Sequence, residues 1–513
     1  MPWRCLACGS GKYHWVMGDD VSRQRYSPEQ RTSYREQLNA DLETFDSYLQ
    51  EAEFSSQGTI GLELELNLVD ADMQPAKVNH KVLESIDHPD FQSEIGAYNI
   101  ELNHPVLTVQ GDGLTQLQDG VQSRLDMAHA AAAEHGAKVA MIGTLPTLTT
   151  EFLEDPSWVT DENRYRALSH AVIDMRGELV RIEIHDREYY RHDFTDVAPE
   201  SSCTSMQLHL QVPPNRFATA WNASQAMAAA QVALSANAPL FAGYKLWHEN
   251  RIPVFTQSID TRTPELVTQG VRPRVWFGER WITSVFDLFE ENVRYFPPML
   301  PESREESGTP VMLGSSPALH YLNLHNGTVW RWNRPIYAPD GDQAHVRLEN
   351  RLLPAGPTVT DLVADAAFYY GVVKYMGEEN RPVWSRLSFP DAEKNFFAAA
   401  RSGLYSRILW PKLGRVDVAE LIRTTLVPQA RKGLQMLDVD AEIIDEYMDI
   451  IEARARTRQN GATWQLRTLM ALKPRLTEPD TAERRDALKR LLELYIRHQS
   501  TGAPVHTWPV GDQ

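Results

Sequence analysis

From Leu62 to Leu66 the chain alternates apolar and acidic residues, within the segment GTIGLELELNLVD at 58–70. A period of two predicts a β-strand with Leu62, Leu64 and Leu66 on one face and Glu63 and Glu65 on the other. With the leucine face in a core, the two carboxylates face a cavity or solvent, where they repel unless a cation lies between them. An ordinary amphipathic strand with a wet face has the same pattern. The pair therefore gains meaning only from the segments that join it.

Three later segments carry polar faces of the same kind. Residues 91–103, FQSEIGAYNIELN, place Glu94 and Glu101 seven apart, which suits a strand pair or a strand bent at Gly96 that returns Glu101 beside Glu94. Residues 203–212, CTSMQLHLQV, put Gln207, His209 and Gln211 on one face and Met206, Leu208 and Leu210 on the other. Residues 345–354, HVRLENRLLP, align Arg347, Glu349 and Arg351. Such a row serves as an exposed ion-pair ladder, or as a phosphate clamp in which guanidinium forks grip phosphate oxygens and the intervening carboxylate holds a bridging metal.

The remaining pattern is mostly helical. Leu38, Leu42, Phe45 and Leu49 follow the start signal Ser27-Pro28 and predict a helix over 27–53. A turn is expected at 69–72, an alanine-rich helix at 114–135, a buried strand at 138–143 and a small-residue helix at 216–248. The Thr- and Pro-rich stretch 145–165, closing on Asn163-Arg164-Tyr165, is expected to be a loop over the sheet. A flap or connector is expected at 297–317, and a hairpin over 319–332 turned at His325-Asn326-Gly327. Helices are expected at 360–377, 391–405, 417–436, 440–458 and 480–498, with no chemistry there beyond packing and solvated charge.

Composition narrows the function class. At 513 residues the chain exceeds one simple core, and 42% apolar with 23% charged residues is a soluble globular balance. The net charge of -18 argues against nucleic acid, since phosphate neutralisation needs a basic face. It is compatible with a nucleotide substrate, for which a metal and a few arginines supply local positive charge. No apolar run of about 18 residues suggests a membrane span, and the N-terminus lacks the apolar stretch of a secretion signal, so a cytoplasmic location is expected. Three cysteines are too few for a disulfide scaffold. Cys5 and Cys8 have metal-ligand spacing without a second pair, and residues 1–26 are expected to form a flexible leader.

Hard cations such as Mg²⁺ take oxygen ligands and keep substrate phosphates as co-ligands, so several carboxylates with two arginines suit ATP and metal. The P-loop, G-x-S-x-G and H-E-x-x-H patterns are absent. The order G-x-E-x-E, two glutamates seven apart, a polar Gln-x-His strand and R-x-E-x-R resembles the glutamate–cysteine ligases and related carboxylate–amine ligases. The resemblance spans roughly 55–380. It implies an α+β fold: an antiparallel glutamine synthetase-like catalytic sheet flanked by helices, with a catalytic domain at 27–380 and a mostly helical C-terminal region at 381–513.

The resemblance also implies roles. Glu65, Glu94 and Glu101 would bind one Mg²⁺ that positions substrate. Glu63 and Glu349 would bind a second Mg²⁺ on the ATP phosphates, with Gln207 as third ligand. Many members have histidine where this chain has Gln207, so either its amide oxygen binds or His209 substitutes. Arg351 would contact the γ-phosphate and Arg347 would support nucleotide or the phosphorylated intermediate. His209, Arg164, Tyr165 and Arg334 fall on the ATP or substrate side. The implied reaction is ligation of a carboxylate, by resemblance the γ-carboxylate of glutamate, to an amine such as cysteine through an acyl phosphate, a step of glutathione biosynthesis. A different acid or amine, a phosphotransferase resembling the guanidino kinases, and a binding protein that kept the sheet without turnover are the alternatives. Small molecules are the expected partners, and homo-oligomerisation is left open.

Overall fold

The computed structural model describes residues 26–302, 316–472, 478–479 and 481–511. The Cys5-x-x-Cys8 leader and most of the expected flap at 297–317 lie outside the described residues.

The centre is a seven-stranded sheet. Its strands are β1 (Thr59–Val69), β2 (Phe91–Ser93), β3 (Asn99–Thr108), β4 (Lys138–Ala140), β5 (Ser205–Gln211), β6 (Asn333–Asp340) and β7 (Gln343–Pro354). The order is β6-β7-β5-β1-β3-β2, with β4 pairing the far end of β1, and every pair is antiparallel. The fold is thus the antiparallel sheet flanked by helices that the resemblance implied.

One face is core. Leu62, Leu64 and Leu66 are buried there, covered by the helices Pro214–Ser235 and Val359–Gly377. Gln231 and Asn350 exchange amide hydrogen bonds of 2.8 and 3.2 Å between the first of these helices and β7. The other face is polar, and register decides its neighbours: Glu65 lies opposite Glu101, Glu63 opposite Gln207, and Glu349 opposite His209. β7 bulges between Asn350, opposite Leu208, and Leu353, opposite Met206. The extra residue re-aims Arg351, as bulges beside functional sites do, and its amide donates to the carbonyl of Trp332 at 2.9 Å.

Most local expectations hold, with instructive exceptions. The leading helix is Pro28–Glu51, closed by a capping box in which Ser27 and Gln30 exchange hydrogen bonds. The expected hairpin at 319–332 is instead a helix, His320–Gly327, followed by the strand Trp330–Arg331. It docks on the leading helix, where Tyr34 donates to the Tyr321 carbonyl at 3.0 Å and Asp41 accepts from the Leu322 amide at 3.0 Å, and that contact overrides the Asn-Gly turn signal. The expected loop at 145–165 contains the helix Thr150–Glu154, and its closing triplet opens the helix Asn163–Arg176. The helix expected to reach 248 ends at Ser235.

The C-terminal helices pack onto the sheet's cover. Gly371 and Gly433 bring two helices into backbone contact, so close that a Cβ on Gly433 would lie 1.8 Å from the Gly371 carbonyl oxygen. Arg454 pairs with Asp361 at 2.8 Å and also with Asp365. Tyr495 and Gln499 bond the backbone of Met141 at 2.7 and 2.8 Å, across position 380. Among the described residues no helix is long and apolar enough to cross a membrane.

Candidate active site

Two groups of metal-competent side chains share the polar face. One is Glu65, Glu94 and Glu101, the other Glu63, His209 and Glu349, and within each group one ligand atom per residue lies within 4.8 Å of the others.

In the first group β1 and β3 present Glu65 and Glu101 side by side, and the chain after β2 brings in Glu94. That return needs glycine at 96, where a Cβ would lie 2.1 Å from the side-chain oxygen of Asn99. Glu65 accepts from the Ser205 amide at 2.7 Å, its hydroxyl at 2.9 Å and the Gln207 amide at 3.1 Å. Glu101 accepts from Gln92 and, at 2.9 Å, from Asn103. Burial raises the pKa of all three. Glu94 is pushed up to about 7 by burial and then by the charge of Glu65. Glu101 is held well above the usual carboxylate range by burial and then by Glu63 and Glu94. Three carboxyl groups this close do not ionise together without a counter-charge, and an all-oxygen donor set fits a hard divalent cation.

The second group is already partly compensated. Arg334 grips both oxygens of Glu349 at 2.6 and 3.0 Å, and Arg351 reaches it at 3.3 Å. Burial would raise the Glu349 pKa, but these guanidinium groups hold it far below the usual range. Burial likewise opposes ionisation of Glu63, and its contact with His209 outweighs it. His209 has Nε2 at 2.9 Å from Glu63, and its Nδ1 accepts from Arg347 Nε at 3.1 Å. In the neutral ring that contact assigns the proton to Nε2, so His209 donates to Glu63. Glu63 and Glu349 supply hard donors for a cation, and His209 would join them through Nε2 in the tautomer that carries its proton on Nδ1, for which the Arg347 contact has to turn away.

Register separates the two residues between which the expectation stood open, Gln207 and His209. Gln207, the expected third ligand, turns its amide oxygen to Arg351 and its amide nitrogen to Glu65. It bridges the two groups, and His209, opposite Glu349, is the residue of this strand that stands with Glu63 and Glu349. Arg351 lies on the bulge between the groups. Burial would lower its pKa, and Glu349, Glu65 and Glu63 keep it charged.

Arg334 stands on the neighbouring strand, β6, opposite Glu349. It is 3% exposed beneath Glu349, where it grips both oxygens of that carboxylate. Arg347 is tied to His209 and stands 3.2 Å from His345. Arg164 and Tyr165 donate to the Ser93 carbonyl at 3.2 and 2.7 Å, which sets them beside Glu94. Ser205 escaped the sequence reading although it shares the face of Gln207 in the same period of two. Glu200 escaped it with no signal at all. It sits on the short turn Ala198–Ser202, and its pKa is raised to about 8 by burial and then by Glu65, against the opposing charge of Arg351.

The profile described as glutamate-cysteine ligase family 2 matches residues 59–493. No curated protein matches the sequence. Among solved structures, the chain is similar to a bifunctional glutathione synthetase from Pasteurella multocida, with a TM-score of 0.50 and 12% identity over 92% of this chain and 55% of that one. The chain thus spans about half the length of the Pasteurella protein. It is also similar to a glutamate–cysteine ligase from Francisella tularensis in complex with AMP, with a TM-score of 0.50 and 10% identity over 89% of this chain and 97% of that one. At those identities the likeness is one of fold.

Proposed function

The chain belongs to glutamate-cysteine ligase family 2, and on that premise we propose that it is an ATP- and Mg²⁺-dependent carboxylate–amine ligase joining the γ-carboxylate of glutamate to cysteine. The observation that carries this reading is the pair of cation-competent groups on one sheet face with Arg351 between them. The AMP held by the Francisella ligase supports a nucleotide as one substrate.

In this reading Glu65, Glu94 and Glu101 hold one Mg²⁺, and Glu63, Glu349 and His209 hold another. Bound there, the ions supply positive charge at carboxylate and phosphate oxygens. Arg351 grips the transferring phosphoryl group, as a planar fork matched to phosphate oxygens. Arg334 keeps Glu349 ionised and oriented, and Arg347, donating to Nδ1, orients the His209 ring. The γ-carboxylate oxygen attacks the γ-phosphorus, ADP leaves, and an acyl phosphate forms. The amine nitrogen then attacks the acyl carbon, the C–N bond forms and phosphate departs. Catalysis is mainly positioning and electrostatics.

The test is ADP release by the purified protein with Mg²⁺, ATP and glutamate, with cysteine and then with other amines. Cysteine-dependent release accompanied by a γ-glutamyl product is the expected result. Release with another amine alone would reassign the acceptor, and no release with any mixture would sink the ligase reading.

A further inference from the structure

We infer that Glu200 is the subsite for the acceptor's ammonium group, the carboxylate that docks the incoming amine beside the acyl phosphate and takes its proton. The inference deepens the ligase reading and rests on it.

The turn that carries Glu200 is built into the site. Ser201 and Ser202 donate back to the carbonyls of Ala198 and Pro199 at 2.8 and 2.6 Å, which stiffens the turn. Ser201 also meets the Tyr98 hydroxyl at 3.1 Å, tying the turn to the bend between Glu94 and Glu101. Three residues past the turn the chain enters β5 at Ser205, whose amide and hydroxyl hold Glu65. The Glu200 carboxylate thus stands near Glu65, Glu94 and Arg351, close enough for their charges to act on one another.

Its bonding state points to a ligand. Glu65, Glu101, Glu63 and Glu349 all accept from neighbouring donors, whereas Oε2 of Glu200 is buried with no hydrogen-bond partner. A buried acceptor left open costs on the order of 1–3 kcal/mol, more when charged, so the fold keeps it there for a donor that arrives from outside. Glu200 does not join the close group of Glu65, Glu94 and Glu101. A donor that is cationic, brings several N–H bonds and is needed beside Arg351 only in the second half-reaction is the acceptor's ammonium group.

The chemistry balances. The amine arrives as R–NH₃⁺, whose positive charge favours the ionised form of Glu200, and then gives that carboxylate one proton. The freed lone pair attacks the acyl carbon, the bond from carbon to the phosphate oxygen breaks, and the departing phosphate carries off the second N–H proton.

The experiment compares cysteine with hydroxylamine, which is neutral near neutral pH and so needs neither a carboxylate partner nor a proton acceptor. Both rates are measured with ATP, Mg²⁺ and glutamate for the wild type, Glu200→Gln and Glu200→Asp, with Mn²⁺ binding as a check on the cation groups. The expected result is that the ratio of cysteine to hydroxylamine ligation falls about 10²-fold or more in Glu200→Gln, the usual scale of a general-base contribution, and recovers in part in Glu200→Asp. Equal falls in both rates, or loss of a Mn²⁺ site, would assign Glu200 to structure or to metal and overturn the inference. An unchanged ratio overturns it as well. If the wild type forms neither product, the ligase reading fails first and the inference with it.

Discussion

Arg334 and Glu349 form a two-pronged ion pair at 2.6 and 3.0 Å, with Arg334 3% and Glu349 0% exposed. Removing one partner of a buried pair strands the other charge and costs about 3–5 kcal/mol. Arg334→Ala is therefore expected to lower the denaturation midpoint sharply, and the double variant with Glu349→Gln to regain part of the loss. Urea unfolding of the three proteins checks this. Equal destabilisation by the single and double variants would break the link between the two residues.

The Glu65, Glu94 and Glu101 group makes stability and cation affinity depend on pH. The Glu94 pKa is raised from 4.5 to about 7, by burial and then by Glu65. The folded state keeps a proton that the unfolded chain releases, so this stabilisation is complete below about pH 4.5 and is lost as pH rises to about 7, on the order of 3 kcal/mol. A bound divalent cation displaces that proton. Titration calorimetry is expected to show Mg²⁺ binding more tightly at about pH 8 than at about pH 6, with proton release. Affinity independent of pH would separate this group from the cation.

Glu101→Gln removes one of three crowded carboxyl groups, itself only 4% exposed. The cation-free protein is expected to melt higher than wild type when pH is above about 7, by on the order of 1 kcal/mol for each unit of pKa stress relieved. The rise in melting temperature produced by Mg²⁺ is expected to shrink to what the Glu63, His209 and Glu349 group alone supplies. Thermal scans with EDTA and with Mg²⁺ provide both readings, and an undiminished Mg²⁺ response would remove Glu101 from the ligand set.

Arg351→Lys keeps the charge and discards the fork. Lysine offers a point charge where the phosphoryl group calls for two aligned donors, so ADP release is expected to fall about 10²–10³-fold. Stabilisation by Mg²⁺ without nucleotide is expected to persist. A rate within about twofold of wild type would move the phosphoryl clamp elsewhere.

Gly433→Ala tests whether the C-terminal helices belong to the same packed body as the sheet. The new methyl group would meet the Gly371 carbonyl oxygen at 1.8 Å, backbone against backbone. Forcing the helices apart is expected to cost about 1–3 kcal/mol or more, and to lower activity through the helix whose Tyr370 hydroxyl bonds the Gly61 and His209 carbonyls. Unfolding midpoints and ADP release are the measurements, and a neutral variant would show the contact to be loose.

The alternation of single residues determined which side chains share a face. Period two is a local property, so Glu63 with Glu65, Gln207 with His209, and Arg347 with Glu349 could be paired from the sequence, and the leucine face of β1 could be named as core. Helix starts were readable for the same reason, since Ser27 and Pro28 act within one turn. Tertiary structure alone decided which faces meet. Strand register set His209 rather than Gln207 with Glu349, and the bulge after Asn350 placed Arg351 between the two groups. β6 escaped notice because Pro335 and Pro339 mask a strand that tolerates them only at a sheet edge, so Arg334 could not be seen beneath Glu349. Glu200 reaches the site from a turn with no period to betray it. The pKa values of these carboxyl groups are likewise tertiary, because burial and the approach of like charges from distant strands set them, and neither exists until the sheet has closed.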